Sequence, residues 1–323
     1  MRTLIAKKNN NSFLLAPSKE GVTYHLQLFN RRQCAVDEEI EIVRKDISHY
    51  QSPDRFLISV KSGLLLASAS LLMYFDYLDL RNPEIIMSNL CPRRGFATES
   101  ELFLVRSSGE YSEVAKDVLV LSLKLLKKSI PQSRANALNA SITNTFPVTQ
   151  KQIRSALQGL YADEKCYYLM GKNMLSAHNK KTGVQLSEFK STLQLEAISG
   201  RGGLVLYVST THSLYALRHS NLQIMTVKDI PSYLKEGLVM STIVFRGVEF
   251  VVLIGKTNWH VTVLANINLK IRVILQSDEI IPNLAPIPKG NYFFNHFLDA
   301  ERGEILLQGY KGAKRLFRLF TKE

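Results

Sequence analysis

The side chains of this sequence that could do chemistry are seven histidines, three cysteines, two acidic clusters and a set of paired basic residues. The histidines, His25, His49, His178, His212, His219, His260 and His296, are scattered along the chain. No His-x-His or His-Glu-x-x-His spacing occurs, and His212 with His219 lacks a neighbouring cysteine or carboxylate to complete a zinc set. They read as structural histidines, and neither a metal site nor a cofactor is expected. Cys34, Cys91 and Cys166 are odd in number and far apart, with no Cys-x-x-Cys pair, which points to free thiols in a reducing compartment. Ser199-Gly200-Arg201-Gly202-Gly203 comes nearest to a phosphate-cradling loop but lacks the Lys-Ser/Thr ending, so it reads as an inter-strand turn. There is no Gly-x-Ser-x-Gly elbow. Asp37-Glu38-Glu39 and Asp278-Glu279 could hold a cation, yet such acidic loops are commonly just solvated. No residue is nominated as catalytic, and a small-molecule substrate is not expected.

The basic residues remain. Lysine and arginine total 41 against 28 acidic residues, a formal net charge of +13. Such an excess favours polyanionic partners. The candidate polyanion-binding residues are Arg93, Arg94, Lys180, Lys181, Lys311, Lys314, Arg315 and Arg318, all at or near expected turns. No aromatic stacking motif accompanies them, which argues against an independent single-strand binder.

The elements that would carry these residues repeat. In the clearest copy Cys166–Met170 is a strand, Gly171-Lys172-Asn173 a turn and Met174–Asn179 a second strand. Lys180-Lys181-Thr182-Gly183 then turns into Val184–Phe189. Three strands in so short a span form a meander with no room for helix. Leu204–Ser209, Ser213–Arg218 and Leu222–Ile230 repeat it, with Leu175-Ser176-Ala177 matching Leu214-Tyr215-Ala216. Looser copies lie at Glu249–Leu275, Ile305–Phe320, Leu64–Leu78, Leu102–Leu123 and Phe13–Phe29. Their spacing averages roughly 49 residues, close to the length of a four-stranded propeller blade.

The expected fold is therefore all-β: a seven-bladed β-propeller forming one domain over residues 1–323, in which turns distant in sequence share a surface. Arg2–Lys8 is a spare strand, and the last unit has three clear strands, so the N-terminal strand is expected to close the last blade. Residues 129–155, rich in Ser, Asn, Thr and Pro toward their start, read as a long inter-blade insertion. Weak helical character is present at Lys116–Lys128 and Thr149–Leu160. Two packed β domains are the alternative architecture. No apolar run reaches the length of a membrane span, and no apolar stretch follows the basic N-terminus as in a secretory signal.

The blade pattern resembles the WD-repeat and related propellers over nearly the whole chain. The Gly-His and Trp-Asp dipeptides of well-formed WD repeats are missing, and the only tryptophan is Trp259. The resemblance implies a non-catalytic scaffold whose partners are other protein subunits of a large assembly. The net charge adds RNA as a partner through a basic face, as in a ribosome-biogenesis ribonucleoprotein, with an intracellular, nuclear or nucleolar location. A narrower likeness lies at Pro92-Arg93-Arg94-Gly95, which is similar to the Phe/Leu-Arg-Arg-Gly motif of phosphoinositide-binding propellers. Here Pro stands first and the motif falls early in the chain. A membrane adaptor and a propeller enzyme with a central-channel site are the competing readings.

Overall fold

The computed structural model describes residues 11–17, 24–30, 35–42, 56–60, 63–67, 71–76, 79–87, 92–98, 100–109, 112, 114–129, 139–200, 205–230, 238–245, 248–255, 261–267, 270–277, 295–299, 304–309 and 312–318. Among them strands dominate and form seven antiparallel sheets, each a meander of neighbours in chain order. The first sheet holds β1 (Asn11–Pro17), β2 (Tyr24–Asn30) and β3 (Ala35–Ile42). The second holds β4 (Phe56–Val60), β5 (Gly63–Ala67), β6 (Leu71–Asp76) and β7 (Asp79–Met87). The third holds β8 (Pro92–Ala97), β9 (Glu101–Ser107), β10 (Ala115–Ser122) and β11 (Ile142–Pro147), with helix α1 (Leu123–Ser129) between the last two. A short helix α2 (Lys151–Ser155) precedes the fourth sheet: β12 (Gly159–Ala162), β13 (Cys166–Met170), β14 (Met174–Asn179) and β15 (Gln185–Lys190). The fifth holds β16 (Leu195–Gly200), β17 (Val205–Thr210), β18 (Ser213–Arg218) and β19 (Ile224–Asp229). The sixth holds β20 (Leu238–Phe245), β21 (Val248–Gly255), β22 (Val261–Ile267) and β23 (Lys270–Ser277). The seventh holds β24 (Asn295–Asp299), β25 (Glu304–Gly309) and β26 (Gly312–Arg318).

The chain divides into two compact units. One spans Met1–Pro147 with Leu284–Glu323, and the other Val148–Asn283. Within the first unit the leading strands β4 and β8 of consecutive sheets lie side by side, and β26 lies beside β3. Within the second, β12 lies beside β16, β16 beside β20, and the outer strand β19 beside β23. Consecutive sheets thus face one another, so their central strands are covered on both sides. That explains why β13 and β17 are buried at every residue and read as continuous apolar runs.

A large-against-small pairing organises the second unit. Tyr168 stands directly across from Ala177, Tyr207 from Ala216 and Phe250 from Ala265. All six residues are buried. The fourth and fifth sheets keep this pattern at a constant 39-residue offset, from Tyr168 to Tyr207, Ala177 to Ala216 and Gly183 to Leu222. Tyr207 and Ala216 join Val205, Leu214, Met240, Val251, Leu253 and Leu264 in one core between the fifth and sixth sheets. In the first unit Leu65 and Tyr74 meet Leu102, Leu104, Leu119, Leu121 and Leu126 in the same manner. The leading strands approach closely enough to need glycine: a Cβ on Gly159 would lie 2.9 Å from Ile198 Cγ2 of the next sheet.

Every one of the seven sheets also has a register shift between its last two strands, as at Ala177/His178, Ala216/Leu217 and Val263/Leu264. An extra residue in the outer strand increases the local twist and bends the edge away.

Three expectations need revision. The stretch 129–155 is not one long insertion: it contains β11, which completes the third sheet, and α2. Lys116–Lys128 is not helical throughout, because Ala115–Ser122 is a buried strand and helix begins only at Leu123. Pro92-Arg93-Arg94-Gly95, whose arginines were expected at or near a turn, forms most of β8. The Arg2–Lys8 strand lies outside the described residues.

Enlarging the small member of a pair tests this packing. Ala216→Leu should lower stability by about 1–3 kcal/mol in urea unfolding, through overpacking against Tyr207. The same change at the half-exposed Thr226 of β19 should be near neutral.

Candidate functional site

The eight sequence-nominated basic residues are dispersed over different elements. Arg93 and Arg94 sit on β8, half-buried, with Arg94 Nη1 donating to the Arg93 carbonyl at 2.9 Å. Lys180 and Lys181 occupy the tight turn between β14 and β15. Lys314, Arg315 and Arg318 are on β26, and Lys311 lies outside the described residues. The lysine turn has a local cause. Asn179 Oδ1 accepts from the backbone N–H groups of Lys181 and Thr182 at 2.9 and 3.1 Å, an Asx turn, and Gly183 closes it at φ 71°. The turn is also tied to its neighbour, since the Lys180 N–H donates to the Lys165 carbonyl at 3.0 Å. Lys181 and Lys165 are both exposed there.

A polar cluster that no sequence motif announces lies between the fourth and fifth sheets. Asp163, in the β12–β13 turn, accepts from Tyr168 Oη at 2.9 Å and from His219 Nδ1 at 2.7 Å. A carboxylate at this point only accepts, so Nδ1 carries the histidine proton. Its other oxygen accepts the Lys165 and Cys166 backbone N–H groups, both at 2.7 Å. Burial alone would raise the Asp163 carboxyl. The bonds from His219, the two backbone N–H groups and Tyr168 outweigh it and bring the pKa down to about 2. Burial, then the Asp163 charge, pushes the Tyr168 phenol far above its ordinary value and raises the buried Cys166 thiol. An Asp–His pair can orient a general base, but a base must reach the proton it removes. His219 Nε2 is buried with no hydrogen-bond partner, so the pair works as a tie between two sheets. The signal that could have revealed it is the recurrence of tyrosine 39 residues on. Tyr207 makes the equivalent forward reach, its hydroxyl donating to Glu249 Oε2 at 2.5 Å and accepting from Asn266 Nδ2 at 2.6 Å.

His178 is the second structural histidine. Its Nδ1 donates to the Gly183 carbonyl at 3.2 Å and its Nε2 accepts from Ser176 Oγ at 2.8 Å, while the ring stacks on Tyr167 at 4.9 Å between centroids. The bond accepted at Nε2 needs the neutral ring; burial lowers the His178 pKa, and the bond to the Gly183 carbonyl opposes that only in part. Cys166 is a buried free thiol; Cys34 and Cys91 lie outside the described residues. Among the described residues no three His, Cys, Asp or Glu side chains converge as a metal set, and no helix is long and apolar enough to cross a membrane.

These groups fix a pH response. Because the folded pKa of His178 is depressed, its contribution is present above the unfolded value of about 6.5 and falls as pH drops below it. Asp163, at about 2 against its ordinary value of 3.8, adds a second loss in the acid range between those two values. The thermal midpoint should therefore decline from pH 7 to 5, and His178→Gln should flatten that part of the curve while leaving the decline below pH 4.

No family model and no curated protein sequence matches the chain. Solved structures do. A chain of the mitotic checkpoint complex matches with a TM-score of 0.62 at 8% identity, over 98% of this chain and 87% of that one. The WD40 domain of Neurospora crassa Pan2 matches at 0.61 and 8%, over 95% and 84%. The N-terminal domain of Nup159 matches at 0.55 and 9%, over 97% of both chains. With sheets of four antiparallel strands packed face to face and these neighbours, the chain has a divergent β-propeller fold similar to that of WD40 proteins.

Proposed function

We propose that the protein is a non-catalytic interaction platform, one propeller domain over residues 1–323, holding other subunits and RNA together in a large assembly such as a ribosome-biogenesis ribonucleoprotein. The observation that carries this reading is where the residues are spent. The interior side chains of the second unit are largely packed or tied to one another, and its exposed lysines Lys165 and Lys181 stand on turns. In this reading seven blades close radially, and the adjacency of β3 and β26 favours it. The +13 charge favours RNA among the partners, because basic side chains displace the counterions condensed on phosphates. Lys180, Lys181, Arg93, Arg94, Lys311, Lys314, Arg315 and Arg318 are the proposed polyanion contacts. The likeness to WD40 structures supports the platform part, and a nuclear or nucleolar location follows from the RNA part.

Affinity purification of the full chain at two salt concentrations tests this. Between roughly 50 and 200 mM salt, an interface of 6–10 phosphate contacts loses about 10³–10⁵ in affinity. RNA should therefore co-purify only at the lower salt, while protein subunits persist at both. Lys180→Glu with Lys181→Glu should lower RNA recovery several-fold. Recovery of the chain alone under both conditions would sink the proposal.

A further inference from the structure

The outer strands of the second unit carry an apolar strip that packing does not explain. Of the seven exposed large apolar side chains among the described residues, five fall between Val184 and Val227. Val184, Leu186, Ile224 and Val227 are 59, 50, 49 and 47% exposed. Val184 and Leu186 flank the start of β15, and Ile224 and Val227 lie at the start and middle of β19; these are the outer strands of consecutive sheets. The outer strand β11 of the third sheet behaves differently, exposing Thr143 and Thr145 instead. An outer strand is normally blunted with polar or charged residues, because its unpaired backbone groups invite another chain. Two outer strands that begin with exposed valine, leucine and isoleucine depart from that rule, and such a patch marks an interaction surface.

Register gives the strip its direction. Phe189 of β15 packs against Tyr215 of β18, with ring centroids 5.3 Å apart. Val227 stands directly across from Tyr215 and Ile224 across from Leu217. Residues paired across an antiparallel ladder share a face, so Val227 and Ile224 lie on the face of the fifth sheet that is turned toward β15. Phe189 and Tyr215 form its apolar floor.

Charge selects the occupant. Both strands leave from the end of the unit where the β12–β13, β14–β15 and β18–β19 turns lie. Those turns carry Lys165, Lys180, Lys181 and Arg218 against Asp163 and Glu164, and Asp163 is already engaged by His219. Lys165, Lys181 and Arg218 are exposed. Farther along β15, Lys190 pairs with Glu188 at 2.6 Å, and β19 ends in Lys228 and Asp229, so the positive end is the turn end. We infer that the strip formed by Val184, Leu186, Ile224 and Val227 docks an extended acidic peptide of a protein partner. Its alternating apolar side chains lie over Phe189 and Tyr215, and its carboxylates face Lys165, Lys181 and Arg218. An extended segment suits an outer strand because the free backbone groups give it hydrogen bonds, while alternate side chains give it specificity. This rests on the platform reading and names the partner chemistry for one of its surfaces.

The test uses the full chain and labelled peptides in fluorescence anisotropy at ~100 mM salt, where exposed charges are partly screened. The peptide EDLTLED should bind, whereas EDSTSED, which lacks both leucine anchors, and KKLTLKK, with reversed charge, should bind at least about tenfold more weakly. Ile224→Ser with Val227→Ser should weaken EDLTLED by about tenfold. Lys181→Glu with Arg218→Glu should do the same, with unchanged circular dichroism and thermal midpoint showing that both variants fold. Equal binding of all three peptides, or unaltered binding by both folded variants, overturns the inference. So does wild-type dimerisation in sedimentation that is abolished by Ile224→Ser with Val227→Ser, since a second copy then occupies the strip. Binding of a polyuridine oligonucleotide that these serine substitutions weaken would also reassign it. If subunits and RNA co-purify with the serine variant unchanged, this inference fails while the platform reading stands.

Discussion

Three large rings, those of Tyr168, Tyr207 and Phe250, are each set across a strand pair from an alanine, and the rest of the second unit is arranged around that contrast in size. A ring on the second strand of a sheet needs a small partner on the third strand if consecutive sheets are to approach. Interiors packed to crystal-like density leave no slack for two bulky residues at one level. The same closeness reaches the leading strands, where Gly159 leaves room for Ile198 of the following sheet. Because central strands are covered on both faces, they have no surface to offer a ligand. What the packing leaves accessible is the turns and the outer strands.

The polar groups that enter this interior are largely tied to one another, although Ser209 Oγ, Asn266 Oδ1 and His219 Nε2 are buried without a hydrogen-bond partner. The Tyr168 and Tyr207 residues lie 39 positions apart; the first meets His219 of the next sheet through Asp163 of its own, and the second reaches Glu249 and Asn266 of the next sheet. A buried hydroxyl or carboxylate without a partner costs on the order of 1–3 kcal/mol or more, so these links specify which sheet follows which. In the first unit the Arg106–Asp117 pair, two contacts of 2.6 Å across β9 and β10, satisfies a buried carboxylate within one sheet. The orphaned His219 Nε2 marks the boundary of this logic. The chemistry of a general base is assembled there, but the atom that would act is enclosed.

The outer strands show a different compromise. A register shift in each of the seven sheets twists the last strand, which discourages uncontrolled pairing along a flat edge. On β15 and β19 that protection is combined with exposed valine, leucine and isoleucine beside cationic turns. An edge both bent and apolar admits a short extended segment more readily than a second sheet.

Alternation, turn residues and the similarly patterned runs around Cys166–Phe189 and Leu204–Ile230 determined by themselves that this is an all-β repeat protein. Strand pairing between close neighbours in sequence depends on a local pattern and on short turns, both of which a single sequence displays. The turn at Lys180–Gly183 was legible for the same reason, although the Asn179 side chain that caps it was not. Only the tertiary structure decided the role of His219, because its partner Asp163 lies 56 residues away and no local spacing encodes that meeting. It also decided that Ile142–Pro147 completes a sheet. That segment is polar, with Thr143, Asn144 and Thr145, and an outer strand with one face toward water shows too weak an apolar pattern to be read as strand. Arg93 and Arg94, expected at or near a turn, lie in β8, where Arg94 pairs with Val105 of β9 and Arg93 falls at a register shift. Periodicity carries what neighbours in the chain do to one another; contacts between sheets depend on closing distances that composition and spacing leave open.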